Sequence, residues 1–276
     1  MLHEIYPHSF QNQYTPNKKI EEDDYILHFK GNSVLLKSYS DTKELPRRKD
    51  IVHNVDDSAF TFLFTFNGNS CFLVENLDAD YTQFEFENVS FFRTTKQQEL
   101  AWVCMVAFHL NNWYLNNKFC GKCGNPTKHK EDERALVCNS CHHTIYPTIS
   151  PAIIVAIISG EKILLARGVN FRGNWFSLVA GYVDVGESLE ETVKREVNEE
   201  VGINVTNICY YKSQPWGYSG SMMIGFVAQA DENQPVVIDE NEIAEAAWFT
   251  KDNLPEHPPK LSIAGEMIEK FKNGEL

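Results

Sequence analysis

Aromatic side chains occupy every second position from Phe60 to Phe66, with Thr61, Leu63 and Thr65 between them. That alternation is the period of a β-strand with one face turned to a core. Asn67-Gly68-Asn69 then supplies turn chemistry, and Ser70–Val74 reads as the returning strand. Phe84, Phe86 and the Phe91-Phe92 pair predict further strands, so the chain up to about residue 92 is β-rich. These aromatics are assigned to a sheet core rather than to base-stacking platforms, because alternating apolar residues usually face a core. The period then changes. Leu100, Val103, Ala107, Leu110 and Tyr114 recur at helical spacing, and Thr95 with Gln98 three residues on predicts a capping box at the start of that helix.

Beyond residue 150 the pattern returns to strands. Ile153–Ser159 and Lys162–Ala166 read as two strands joined by a Ser159-Gly160-Glu161 turn, and Trp175–Val179 as a third. A helix follows. Leu189, Val193, Val197 and Val201 form an apolar stripe, Ser188 is a cap, Glu190 and Glu191 favour the first turn, and Gly202 is a stop. The predicted organisation is an N-terminal α+β domain over 1–116, a separate small unit over 117–147 and a third domain over 148–276.

The small unit is defined by cysteines. Cys120 and Cys123 are followed, after fourteen residues, by Cys138 and Cys141. Two pairs at this spacing suit tetrahedral Zn²⁺, and four sulfurs close the shell, so the metal is expected to be structural. Gly121 and Gly124 suit the first knuckle; His142 and His143 are left out of the ligand set. Cys71, Cys104 and Cys209 are expected to be small buried hydrophobes in a reducing compartment.

Chemistry concentrates on the helix at 189–201. Glu196, Glu199 and Glu200 stand at i, i+3 and i+4, on one face. Three carboxylates repel unless positive charge lies among them, and hard divalent cations, Mg²⁺ or Mn²⁺, are the natural solution. Such ions facing a polyphosphate neutralise it and stabilise charge developing in phosphoryl transfer. Gly181 and Gly186 let the preceding loop turn tightly. A charged surface helix is the plain alternative. Against it, the string from Gly181 to Ile203 has the form Gly-x5-Glu-x7-Arg-Glu-aliphatic-x-Glu-Glu-x-Gly-aliphatic. A chance match in a chain this long is on the order of one in ten million.

Charge narrows the partners. The formal net charge is −13 over 276 residues, which opposes a protein that holds nucleic acid by general electrostatics. The longest apolar run, Ala152 to Ile158, is too short to cross a bilayer, and Met1-Leu2-His3-Glu4-Ile5 shows no basic segment before an apolar stretch. No membrane association is expected, and the expected location is the cytoplasm.

The string matches the Nudix box, and a four-Cys ribbon before it resembles the NADH pyrophosphatase (NAD⁺ diphosphatase) family of Nudix hydrolases. That family carries Ser-Gln-Pro-Trp-Pro-Phe-Pro-x-Ser after the box; here the stretch is Ser213-Gln214-Pro215-Trp216-Gly217-Tyr218-Ser219-Gly220-Ser221. Gly217 and Ser219 replace two prolines, which predicts a more flexible loop. The resemblance covers residues from about 93 onward well. It implies an α+β protein with a Nudix α/β/α sandwich on a mixed sheet, behind a zinc ribbon and a β-rich N-terminal domain. It implies divalent ions on Glu196, Glu199, Glu200 and Glu242. It implies a substrate site lined by Gln214, Trp216 and Ser221, by Tyr182 and Tyr146 as aromatic positions, by Ala180 and Ala264 through the backbone, and by Arg93. Glu187 and Arg195 are expected to brace the loop. The implied reaction is hydrolysis of NAD(H) to AMP and nicotinamide mononucleotide, with NAD-capped RNA as a further substrate, in a homodimer. Two alternatives remain. One is a Nudix enzyme for ADP-ribose or a dinucleoside polyphosphate. The other is a catalytically inactive zinc-ribbon protein that binds nucleic acid or acts as a regulator.

Overall fold

The computed structural model describes residues 1–39, 42–51, 55–77, 83–170 and 174–276. The chain forms two compact units. One comprises Met1–Leu2, Ile149–Trp216 and Gly220–Leu276; the other comprises His3–Thr148 and Gly217–Ser219.

In the second unit the Phe60–Phe66 strand forms as the alternation predicts and pairs antiparallel with Asn69–Val74. Asn67 and Gly68 both have positive φ, at 48° and 83°, which matches the twist of a tight hairpin. Phe60, Phe62, Phe64 and Phe66 are all under 9% exposed, so they are core. Phe91-Phe92 is not a strand. Val89–Arg93 is a 3₁₀ turn, capped by Asn88, whose side chain accepts from Ser90 N at 2.9 Å. Helix α1 spans Gln98–Asn116. Its expected capping box is absent: Thr95 Oγ1 accepts from Gln97 N at 3.2 Å, and Gln98 donates to Glu4 O at 3.1 Å. Three short antiparallel strands, Thr127–His129, Leu136–Cys138 and Thr144–Ile145, make the ribbon sheet. Arg134 ties this sheet to the N-terminal strands, donating to Asn12 Oδ1 at 2.7 Å and to Leu63 O.

The first unit is a six-stranded mixed sheet ordered Thr206–Trp216, Ser221–Gln229, Ser150–Ser159, Lys162–Gly168 and Ile243–Thr250, with Val179–Tyr182 paired to Ser150–Ser159. Ser150–Ser159 lies parallel to Ser221–Gln229. The continuous apolar run at 152–158 is explained by burial on both faces. Ile153, Val155 and Ile157 pack with Val193, Val197 and Val201 of helix α2 (Leu189–Val201). Ile154 and Ala156 pack on the other face with Ile263, Met267 and Ile268 of helix α3 (Ile263–Lys272). The result is the expected α/β/α sandwich. Each valine of the α2 stripe is 0% exposed and contributes about 1.5–3 kcal/mol of burial.

Two local expectations fail here. The strand predicted over Trp175–Val179 begins only at Val179; ahead of it Ser177 makes an isolated antiparallel bridge to Ala166, and Phe176 N turns away to Glu256 O. Cys209 is exposed on the edge strand Thr206–Trp216, whereas Cys71 and Cys104 are buried.

Candidate active site and metal centre

Helix α2 starts and stops where the sequence says. Ser188 and Glu191 form a reciprocal capping box, with Glu191 N to Ser188 Oγ at 3.3 Å and Ser188 N to Glu191 Oε2 at 2.8 Å. Gly202 takes φ 71° and donates to Asn198 O at 3.0 Å. A box of this kind stabilises a helix end by about 1 kcal/mol. The helix therefore presents its glutamates from a fixed frame.

Glu200 is buried, the Glu196 side chain is 12% exposed and the Glu199 side chain 61%. The Glu196 carboxylate sits against Gly181 of the Val179–Tyr182 strand: a β-carbon at Gly181 would fall 1.9 Å from Glu196 Cδ. Gly181 thus makes room for a carboxylate. Gly186 takes φ 97°, the turn for which glycine was expected. Arg195 braces the loop, donating from Nε to Glu187 Oε1 at 2.5 Å and from Nη2 to Glu187 Oε2 and Tyr182 O, both at 2.9 Å. Its Nη1 reaches Glu196 at 2.7 Å and Glu199 at 3.0 Å. The hydrogen bonds from Arg195 hold the Glu187 carboxyl down at about 2.

Glu242 is exposed and comes from a segment tied to the helix end. Val237 N donates to Val201 O at 3.0 Å and Asp239 N to Glu200 O at 3.1 Å. Asp239 O then accepts from both Glu242 N and Ile243 N, and Glu242 O accepts from Val169 N at 2.8 Å. Burial, with Glu196, Glu242 and Glu199 adding repulsion, pushes the Glu200 carboxyl up to about 8. Burial also raises Glu196, against the pull of Arg195. One arginine does not compensate four carboxylates. Oxygen donors with surplus negative charge fit a hard divalent ion.

Two outcomes are expected from this geometry. Gly181→Ala keeps the fold, because the clash is with the far end of a flexible side chain, but it displaces the Glu196 carboxylate. Its melting temperature is expected to stay within a few degrees of wild type, while a Mn²⁺ titration shows weakened binding; unchanged binding would contradict the packing role. The second concerns pH. In the ion-free fold Glu200 keeps its proton up to about 8, whereas its ordinary value is 4.5. Stability from this group is full below pH 4.5 and is lost as pH rises through 8, because the unfolded chain releases the proton earlier. Glu200→Gln is expected to flatten the melting temperature of the ion-free protein between pH 5 and 8.

The other expected site residues divide between the units. In the first unit, Ala180 is half-buried and packs on the α3 side, and Tyr182 is 53% exposed. Trp216 is half-buried beside Ser221, which is 3% exposed. Gln214 has no exposed surface: its Nε2 donates to Leu261 O at 2.8 Å and its Oε1 accepts from Ile263 N at 2.7 Å. It clamps the start of helix α3, where Ala264 is also buried. In the second unit, Tyr146 is exposed and donates to Glu133 at 3.0 Å, and the Arg93 guanidinium lies 4.9 Å from the ring centre of Tyr218. Gly217 is buried, and a β-carbon there would lie 2.5 Å from Met105 O. The expectation of a freer loop is therefore corrected at this residue: glycine serves close packing on α1, which a proline ring would obstruct. Asp239 was missed, although Asp239-x-Asn241 is an Asx-turn signature, with Asn241 N donating to Asp239 Oδ1 at 2.9 Å.

The cysteines form a second centre. The Sγ atoms of Cys120, Cys123, Cys138 and Cys141 all lie within 4.8 Å of one another. Cys120–Cys141 is 3.7 Å, and Cys123 is 3.4 Å from both Cys138 and Cys141. A tetrahedron with Zn–S bonds of about 2.3 Å has edges of about 3.8 Å, so the set fits zinc. Gly124 at φ 74° and His142 at φ 57° close the two knuckles, donating to Cys120 O and Cys138 O. Ser140 N and Cys141 N point at Cys138 Sγ at 3.4 and 3.5 Å.

The sandwich, the capped glutamate helix and the Gly181–Glu187 loop define a Nudix domain, and residues 148–271 match the NUDIX domain family. Residues 115–146 match the NADH pyrophosphatase zinc ribbon domain, and residues 23–113 the NADH pyrophosphatase-like rudimentary NUDIX domain. The chain belongs to the NADH pyrophosphatase family of Nudix proteins. It is 45% identical over 160 residues to the NAD-capped RNA hydrolase NudC of Salmonella heidelberg (strain SL476), covering 58% of this chain and 62% of that one. It is 43% identical over 163 residues to the protein of the same name from Haemophilus influenzae (strain PittGG), covering 58% and 61%. The matched stretch thus spans about three-fifths of these relatives. A Nudix hydrolase crystal structure from Nitrosomonas europaea aligns at 19% identity and TM-score 0.49, over 56% of this chain and 91% of that one. Among the described residues, no helix is long and apolar enough to cross a membrane.

Proposed function

We propose that this protein hydrolyses the pyrophosphate bond of NAD(H), giving AMP and nicotinamide mononucleotide, and removes NAD caps from RNA. The observation that carries the reading is the buried Glu200 among Glu196, Glu199 and Glu242, on a helix framed by the Nudix box. The ribbon, the N-terminal match and the NAD-capped RNA hydrolases at 45% and 43% identity support the substrate class. The organisation into domains 1–116, 117–147 and 148–276 belongs to the same reading.

In this reading Glu196, Glu199, Glu200 and Glu242 hold Mg²⁺ or Mn²⁺. The bound ions supply charge neutralisation for the pyrophosphate and its transition state. Arg195 and Glu187 keep the loop at 181–187 in register with the glutamates. Tyr182, Trp216, Ala180, Ser221, Tyr146 and Arg93 bind the dinucleotide, with Gln214 and Ala264 setting the start of α3. Zn²⁺ on the four cysteines is structural. The protein acts as a homodimer in the cytoplasm; a monomer in light scattering at working concentration would remove the dimer from the reading.

The test is chromatography of products after incubation with Mg²⁺ or Mn²⁺ and NADH, NAD⁺, ADP-ribose, a diadenosine polyphosphate and NAD-capped RNA. Fastest cleavage of a nicotinamide dinucleotide, free or as a cap, supports the proposal. Fastest cleavage of ADP-ribose or the diadenosine compound keeps Nudix chemistry and redirects the substrate.

A further inference from the structure

The ribbon sheet has two faces, and the register sorts its side chains between them. Directly paired residues share a face, and alternate residues along a strand do too. Phe119 pairs with Pro126, Lys128 with Val137, and Val137 with Thr144. Pro126 and Lys128 are two apart, as are Thr144 and Tyr146. Phe119, Pro126, Lys128, Val137, Thr144 and Tyr146 therefore form one outer face. Leu136, Cys138 and His129 form the inner one, where His129 lies 5.0 Å from the ring of Tyr114 in α1. On the outer face Phe119 is 63% exposed and Tyr146 55%.

The charge of this segment opposes that of the chain. Residues 117–130 contain four lysines and no Asp or Glu, in a protein of net charge −13, and the acids of the ribbon are confined to Glu131, Asp132 and Glu133 directly after them. Lys118 is spent on Glu75 and Lys130 on Asp132 and Glu133. Lys122 and Lys128 are exposed and have no ion-pair partner among the described residues. Four thiolates outweigh one Zn²⁺ by two charges; Cys120 and Cys138 are buried, at 2% and 1% exposure, whereas Cys123 is exposed and Cys141 half-buried.

Exposed aromatics around an unpaired lysine are the elements of a single-strand platform: bases stack on rings of any sequence, and cations meet the backbone. We propose that the outer face of the zinc ribbon binds the single-stranded RNA that follows an NAD cap. This rests on the cap-removal reading above. Tyr146 marks the edge that this reading shares with the dinucleotide; Phe119, Lys122 and Lys128 give the enzyme a hold on capped RNA that free NAD(H) does not use.

The experiment uses the full zinc-loaded chain, comparing wild type with Phe119→Ala, Lys128→Gln and the double variant Lys122→Glu/Lys128→Glu. First, binding of an uncapped, fluorescently tagged single-stranded 12-mer is measured by anisotropy across a salt series. This needs no catalysis, so it stands even if hydrolysis fails. The double variant is expected to bind about tenfold more weakly and to flatten the salt dependence by about 1.4 in log–log slope, at about 0.7 per lost phosphate contact. Phe119→Ala is expected to weaken binding with the slope unchanged. Second, KM for NAD-capped RNA is expected to rise severalfold in each variant, with kcat and KM for NADH as in wild type. RNA affinity and salt slope equal to wild type in all variants would overturn the proposal. So would a change of oligomeric state in sedimentation, which would assign the face to a second copy of the chain. Equal losses on NADH and capped RNA would also overturn it, since they indicate a general defect.

Discussion

Glu199→Gln is expected to reduce pyrophosphate hydrolysis by on the order of a thousandfold, about 4 kcal/mol of transition-state stabilisation, with the fold intact. The two halves of this expectation have separate grounds. Glu199 is the most exposed of the three clustered glutamates, at 61% against 12% for Glu196 and 8% for Glu200, and its ion pair with Arg195 Nη1 at 3.0 Å is of the surface kind. Such pairs contribute about 0–1 kcal/mol, so the melting temperature should barely move. Arg195 retains Glu187 and Glu196, and the loop stays braced. The loss falls instead on the divalent ions, because glutamine is a neutral and weaker donor for a hard cation. A Mn²⁺ titration should show weakened binding in parallel with the lost rate. Near-normal turnover would remove Glu199 from the ion set.

Stripping zinc, or Cys138→Ser, is expected to have the largest effect on folding. Cys138 is 1% exposed and accepts from Ser140 N and Cys141 N, so its sulfur organises the second knuckle. The ribbon sheet is three strands of two or three residues and has little core of its own. Small metal sites of this kind draw an apparent 10–16 kcal/mol of folding energy from zinc. Arg134 passes the loss on, because its bonds to Asn12 and Leu63 tie the ribbon to the N-terminal strands. The expected results are one zinc per chain by metal analysis and, after chelation, rapid amide exchange over 127–145 with partial loss of protection at Phe60–Phe66. A metal-free chain with wild-type protection would contradict a structural zinc.

Much of this architecture was legible before any coordinates. The bounds of helix α2 follow from a cap, a stripe and a stop, all local signals. The alternation at 60–66 fixed a strand, and the cysteine spacing a ribbon, because each pattern has one economical fold. What escaped was tertiary. Phe91-Phe92 resembles strand, yet Asn88 caps a 3₁₀ turn there. Gln214 sits in a motif associated with substrate, and only the packing of α3 reveals that its amide is spent on Leu261 and Ile263. Cys209 falls in an apolar stretch, but its strand lies at the sheet edge. Gly217 looked like freedom and is close packing, which depends on helix α1 more than a hundred residues earlier. For the candidate site, sequence spacing identified the glutamates. It gave no hint that Gly181 accommodates one of them or that burial raises another to about 8.

The central claim is that water cleaves a pyrophosphate bond at the glutamate helix. The most direct test is hydrolysis of NADH with Mg²⁺ or Mn²⁺ in ¹⁸O-labelled water, with products weighed by mass spectrometry and Glu199→Gln alongside. The account predicts AMP and reduced nicotinamide mononucleotide, a single ¹⁸O on the phosphate of one of them, and neither product from the variant. Release of free nicotinamide, a label absent from both phosphates, or an equally active variant would contradict it.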